Sequence, residues 1–240
     1  METNIIIGNL LAVLVGITLG LIGSGGSILS VPILVYVMHV EPALATAYSL
    51  FAVGTTALFG GFQKAKQKLV DFKKVFLFGI PTIFSVFITR KIIVPSIPDV
   101  IFSTPTFTLH KPVLIMIVFS IVMIMASVRM IKPLKEKITN DDESLNYKGI
   151  FFQGIIIGLV AGFVGAGGGF LIIPALLFFA KTPMKMAVGT SLFIIAAQSL
   201  IGFTGDISNG NLLDWNLLLT FTFCSVIGIF IGNYLSKKFS

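Results

Sequence analysis

The sequence predicts an all-α integral membrane fold, an inverted repeat of two halves with about seven or eight membrane segments. Three observations carry that expectation. Of the 240 residues, 55% are hydrophobic and only 11% are charged, against roughly a quarter charged in an ordinary soluble domain. A glycine-rich motif followed by proline occurs twice. The basic residues gather in short loops and give the two copies opposite orientations.

The chain opens METNIII, without a basic n-region or a small-residue cleavage site, so the run Ile5–Ile22 is expected to persist as the first helix. Further apolar runs follow at Ala43–Phe62, Val75–Thr89, Val113–Val128, Met186–Thr204 and Leu217–Leu235. Each approaches the ~20 residues that a helix needs to cross a ~30 Å hydrocarbon layer, where backbone polar groups must be satisfied internally. A net charge of +7 would suggest nucleic acid in a soluble protein, but here the lysines lie between apolar runs and report topology. Cys224 is the one cysteine, which excludes an intrachain disulfide and a cysteine-rich metal site; inside an apolar run it reads as a small lipid-facing or packing residue.

Self-similarity gives the organisation. Gly20–Pro32 (GLIGSGGSILSVP) overlays Gly162–Pro174 (GFVGAGGGFLIIP) at an offset of 142. The match continues through Tyr48–Phe51 against Thr190–Phe193, and with one more residue of offset Val70-Asp71-Phe72 meets Leu213-Asp214-Trp215. The first half is therefore 1–131 and the second 149–240, joined by a polar cytoplasmic linker, 132–148, that carries Asp141, Asp142 and Glu143. The second half has no counterpart of the Val113–Val128 run.

Gln63–Lys74 holds five lysines, whereas its counterpart Gly205–Asn216 holds neither lysine nor arginine. Placing the first loop in the cytoplasm also places the linker, the turn Lys181–Lys185 and Lys237-Lys238 there. That leaves 14 basic residues inside and only Arg90, Lys91 and Lys111 outside, with the N-terminus outside and the C-terminus inside. Lys148 and Lys181 then share a side, yet only 32 residues separate them, fewer than the ~40 that two crossings require. A helical hairpin turning at Gly165–Gly169 fits, with a mirror hairpin turning at Gly23–Ser27.

Two hairpins entering from opposite faces are expected to meet near the midplane, where inverted-repeat transporters hold substrate. Each tip opens a new helix, Ile28–Met38 or Phe170–Ala180. Unpaired N–H groups and a partial positive charge at a helix start suit a small anion. The candidate binding residues are therefore Gly23, Ser24, Gly25, Gly26 and Ser27 in the first tip, and Gly165, Gly167, Gly168 and Gly169 in the second. Tyr48-Ser49 and Thr190-Ser191 are repeat-related polar pairs inside apolar runs, and Gln198 is an amide that is costly against lipid. The plain alternatives are close helix packing for the glycines and back-bonding to the helix for the hydroxyls. Asp206, just past one helix, is the single acidic candidate for a proton relay. Asp71 and Asp214 read as N-caps, and His39 and His110 as structural residues without metal-ligand spacing. Neither a metal nor another cofactor is expected.

The duplicated Gly-x-Gly-Gly-x-x-Leu-x-x-Pro pattern, the Ser-Leu-Phe that follows it, and the Asp-aromatic pairs Asp71-Phe72 and Asp214-Trp215 resemble the sulfite exporter TauE/SafE family of membrane permeases. The resemblance covers nearly the whole chain. It implies an inner-membrane protein that exports small sulfur-containing anions such as sulfite, sulfoacetate or other organosulfonates. Its partners would be that anion, the lipid bilayer and a coupling ion the sequence does not name; oligomeric state is left open. Rocking of the two halves about a fixed site is the leading mechanism, and an anion channel or a permease for another small anion is the alternative. An intramembrane enzyme would need a buried nucleophile and base, and no such pair is evident.

Overall fold

The computed structural model describes residues 2–23, 26–104, 107–131, 147–165, 167–178, 180, 182–207 and 213–238. Helix α1 (Glu2–Ile22) is followed by α2 (Ser27–Pro32), which runs on as a π-helix over Ile33–Val37. Pro32 has no N–H to give to the α ladder, and the following turns widen until Met38 N–H meets the Ile33 carbonyl. Helices α3 (Pro42–Lys66) and α4 (Phe72–Ile88) come next; α4 also widens, over Thr89–Ile93, before α5 (Val94–Ser96). The second series comprises α7 (Tyr147–Val164), α8 (Gly169–Phe178), α9 (Met184–Ile207) and α10 (Trp215–Lys238).

Between the two series lie a two-stranded antiparallel hairpin, β1 (Val100–Thr104) and β2 (Phe107–His110), and helix α6 (Lys111–Ile131). Phe102 pairs with Leu109 and Ser103 with Thr108, with an irregularity between Val100 and Phe102. The hairpin is an addition to the all-α expectation. Its β-branched and aromatic residues favour extended backbone once the chain has left the apolar runs. The linker, residues 132–148, lies outside the described residues apart from its last two positions.

Local signals account for the helix starts. The Glu41 carboxylate accepts from Leu44 N–H at 3.1 Å, ahead of Pro42 in the first helical position. Asp71 and Asp214 are the N-caps that the sequence suggested, accepting from Lys74 N–H at 3.3 Å and Leu217 N–H at 3.1 Å.

Five helical stretches among the described residues are long and apolar enough to cross a membrane: Asn4–Ile22, Pro42–Lys66, Phe72–Ser96, Met184–Ile207 and Trp215–Lys238. Shorter apolar stretches are Ser27–Val37, Lys111–Met125 and Gly149–Val164. The outer surface agrees, because Phe76, Phe84 and Phe223 are 64%, 67% and 67% exposed. Large aromatics displayed on that scale suit a lipid solvent. This is a multi-pass membrane protein.

The two series correspond element by element. α7, α8 and α9 end or begin 142 residues after the matching points of α1, α2 and α3, and α10 begins 143 after α4. Packing follows the same correspondence: α1 lies along α10, α7 along α4, and α3 against α9 in the centre. Gly16 faces Ser225 to Ile229, and Gly20 faces Ile229 to Asn233, so α1 and α10 run in the same direction. A Cβ at Gly16 or Gly228 would overlap the carbonyl of Ser225 or Val13, so the helices approach this closely only because both positions lack a side chain. α3 and α9 run oppositely: Gly189 meets Lys64, Gly54 meets Ser199 and Leu200, and Thr46 meets Arg90 and, through it, Asp206.

One end of the molecule is rich in lysine. Lys64 donates to Ser236 near the end of α10 at 3.4 Å, and Lys74 donates to Thr182 ahead of α9 at 3.0 Å. The loop after α3, the turn before α9 and the end of α10 therefore share a face, as the charge pattern required. Arg90 and Asp206 lie at the other end.

Candidate functional site

Each series begins with a helix, a glycine turn and a shorter returning helix. In the second, Gly165, Gly167 and Gly168 all have positive φ, at +74°, +65° and +58°. These are left-handed conformations that favour glycine, and three within four residues reverse the chain tightly. Gly23 in the first turn has the same character, with φ +82°. Ser24 and Gly25, proposed from sequence as part of this tip, lie outside the described residues.

The turns reach past the middle of the molecule. Gly23 packs on Val188 in the first turns of α9, whereas Gly165 packs on Thr46 in the first turns of α3 and on the guanidinium of Arg90. Since α3 and α9 are antiparallel, the two turn glycines lie at opposite ends of that pair. The starts of the returning helices come closest to the centre. A Cβ on Gly167 would stand 2.9 Å from Ser199 Oγ, 3.1 Å from Val53 and 3.4 Å from Ile195, all near the midpoints of α3 and α9. Val31 of α2, and Val164 and Phe170 beside the start of α8, share one buried cluster, so the returning helices approach each other there.

Gln198 is fully buried and donates its side-chain N–H to the Gly167 carbonyl, holding the tip. Gly168 packs on Ala161 and Gln198, and Gly169 opens α8. In the other half, Gly26 packs on Val15, Thr18 and Leu19 of α1. Ser27 is buried; its carbonyl accepts from Ser30 Oγ at 2.8 Å, and Ser30 and Ser49 share a short hydroxyl–hydroxyl bond. Ser49 thus stands close to the first tip.

The remaining candidates have other partners. Tyr48 OH accepts from Asp214 N–H at 2.6 Å, at the start of α10. Thr190 Oγ1 accepts from Asp71 N–H at 3.0 Å, at the start of α4. The two repeat-related positions therefore perform the same task on each other's half, closing a helix start at opposite ends of the molecule. Ser191 bonds back to the Val188 carbonyl at 2.9 Å, the plain alternative for such a hydroxyl.

Sequence reasoning missed Arg90 as an interior residue and counted it as a loop cation. It is 1% exposed, and its Nη1 lies 3.0 Å from Thr46 Oγ1 and 3.5 Å from each carboxylate oxygen of Asp206, which is 5% exposed. The available signal was Asp206 itself, since an acid in the last turn of an apolar helix calls for a cationic partner.

A profile of the sulfite exporter TauE/SafE family matches residues 9–240. The chain belongs to that family. A Xylella fastidiosa (strain 9a5c) protein named "Probable membrane transporter protein" is 28% identical over 232 residues, covering 95% of this chain and 83% of the relative. A Bacillus subtilis relative named "Probable membrane transporter protein YunE" is 27% identical over 95% of this chain and 87% of its own length. A similarly named Methanocaldococcus jannaschii protein is 30% identical over 80% of this chain and 70% of its own length. No solved structure matches the chain. Family and relatives make this TauE/SafE protein a membrane transporter.

Proposed function

We propose that this transporter exports small sulfur-containing anions, such as sulfite, sulfoacetate or other organosulfonates, across the bacterial-type inner membrane. The supporting observation is the second tip: positive-φ glycines bring the backbone at the start of α8 to the middle of the α3–α9 pair. Backbone N–H groups at a helix start need no charged side chain to attract an anion, and glycine lets the anion approach them. Ser27 and Ser49 at the other tip, with Gln198 beside Gly167, supply polar groups within the same interior. The anion is the substrate, and an ion gradient drives its exit.

In this reading the two series, 1–131 and 149–240, form an inverted repeat whose halves rock about the site. The reciprocal packing of α1 on α10 and of α7 on α4 supports it. The lysine-rich end faces the cytoplasm, with the N-terminus outside and the C-terminus inside. Burial of Ser27 and Gln198 favours a gated carrier over an open anion channel. The test is efflux from liposomes holding purified protein with radiolabelled sulfite, sulfoacetate or thiosulfate, and chloride as control. Saturable movement of a sulfur anion without chloride current is the expected result; movement of none of the three rejects the substrate assignment.

A further inference from the structure

We propose that Arg90 and Asp206 form a latch that closes the lysine-poor end of the protein and parts when the central site opens to that side. The inference rests on the transporter reading above and adds to it a named gate.

The correspondence between the halves supplies the argument. At the residue offsets already given, Arg90 corresponds to Asn233, Asp206 to Lys64 and Thr46 to Val188. The corresponding helices therefore meet at both ends of the molecule, through different residues and different chemistry. At the lysine-poor end, Arg90 ties the widened part of α4 to the last turn of α9, and Thr46 adds α3 to the same knot. At the lysine-rich end, Asn233 donates to Gln63 Oε1, and Lys64 donates to the Ser236 hydroxyl at 3.4 Å. An ion pair in a dry interior holds more strongly than a neutral amide–amide hydrogen bond such as that between Asn233 and Gln63. Two ends that the repeat would make alike are thus locked unequally.

Placement makes the pair a gate as well as a brace. The Gly165 turn sits directly on Thr46 and on the Arg90 guanidinium, so movement of the tip toward this end must displace them. Both oxygens of Asp206 stand 3.5 Å from Nη1, longer than the 2.7–2.9 Å of a tight charge-assisted bond. Through Arg90 the pair joins α3, the widened end of α4 and α9. Arg90 also lies within π-helical turns, a rare backbone form that is frequent at functional sites.

The experiment measures access, independent of any substrate. In a Cys224→Ser background, Val53→Cys places a thiol against Gly167, and a membrane-impermeant maleimide is applied to proteoliposomes from one face at a time. Asp206→Asn, and Arg90→Gln with Asp206→Asn, are compared with the parent. The double variant keeps neutral hydrogen-bonding groups like those at the other end, so it reports even where the single variant does not fold. Labelling from the lysine-poor face should quicken by about tenfold, as a population shift toward the open form requires. Unchanged labelling in the folded double variant overturns the latch. Sulfite efflux on the same vesicles separates the two readings. Faster labelling without anion movement upholds the latch and rejects the substrate, whereas parental efflux with unchanged labelling rejects the latch alone.

Discussion

Gly167→Ala is the substitution whose effect is most directly set by the structure. The residue has φ +65°, a conformation that costs an L-residue about 1–2 kcal/mol. The added Cβ would stand 2.9 Å from Ser199 Oγ and 3.1 Å from Val53 Cγ1, and overpacking of that kind costs about 1–3 kcal/mol. The expected loss is therefore about 2–5 kcal/mol, read as a fall in the melting temperature of purified protein in detergent. Ser199→Ala removes the closest clashing atom while leaving φ untouched. The double variant Gly167→Ala/Ser199→Ala should then recover the packing part of the loss and retain the backbone part. Gly79 is the control, because its Cβ would meet nothing nearer than Ile194 at 3.9 Å and its φ is ordinary. Gly79→Ala should be neutral or stabilise by up to about 1 kcal/mol. The reasoning fails if Gly79→Ala is as damaging as Gly167→Ala, or if Ser199→Ala recovers nothing.

Further outcomes follow from the same geometry. Tyr48→Phe and Thr190→Val should each lose about 1 kcal/mol of stability, and the double variant should show their sum within about 0.5 kcal/mol, checked by thermal unfolding. Arg90→Gln alone leaves Asp206 buried without its cation and should lose about 3–5 kcal/mol, most of it regained on adding Asp206→Asn; chemical denaturation of the three variants tests this. Gly16→Leu should prevent α1 from seating on α10, seen as lost folded yield, whereas Leu10→Ala, at an exposed position on the same helix, should leave yield intact. In liposomes, Gly167→Leu should abolish sulfite efflux while the protein still inserts, as scored by protease protection of its loops.

Much of this architecture was legible because it follows from solvent and backbone chemistry. Apolar length marked the long helices, and the Gly165–Gly169 turn was visible because several glycines in succession serve few purposes inside an apolar run. Asp71 and Asp214 were readable as caps because a carboxylate at a helix start acts locally. What the sequence could not show was long-range partnership. Tyr48 and Thr190 read as polar groups in search of a cavity, but each closes a helix start in the opposite half. Arg90 read as a loop charge because the run Val75–Thr89 stops just before it, while the helix itself continues through widened turns. The β-hairpin escaped because its strands are short and lie between stronger helical signals.

The reciprocal caps set an order of events during synthesis. The N–H of Asp71 waits for Thr190, 119 residues later, and Tyr48 waits for Asp214, 166 residues later. At ribosomal speeds of roughly 5–20 residues per second, those delays are on the order of ten seconds. Throughout that interval the first half sits in the bilayer with α1 still lacking its companion α10, the last helix described in the chain. A nascent chain stalled between α4 and α9 would therefore expose the glycine face of α1 to lipid or to other proteins. That face stays without its partner until α10 has been made.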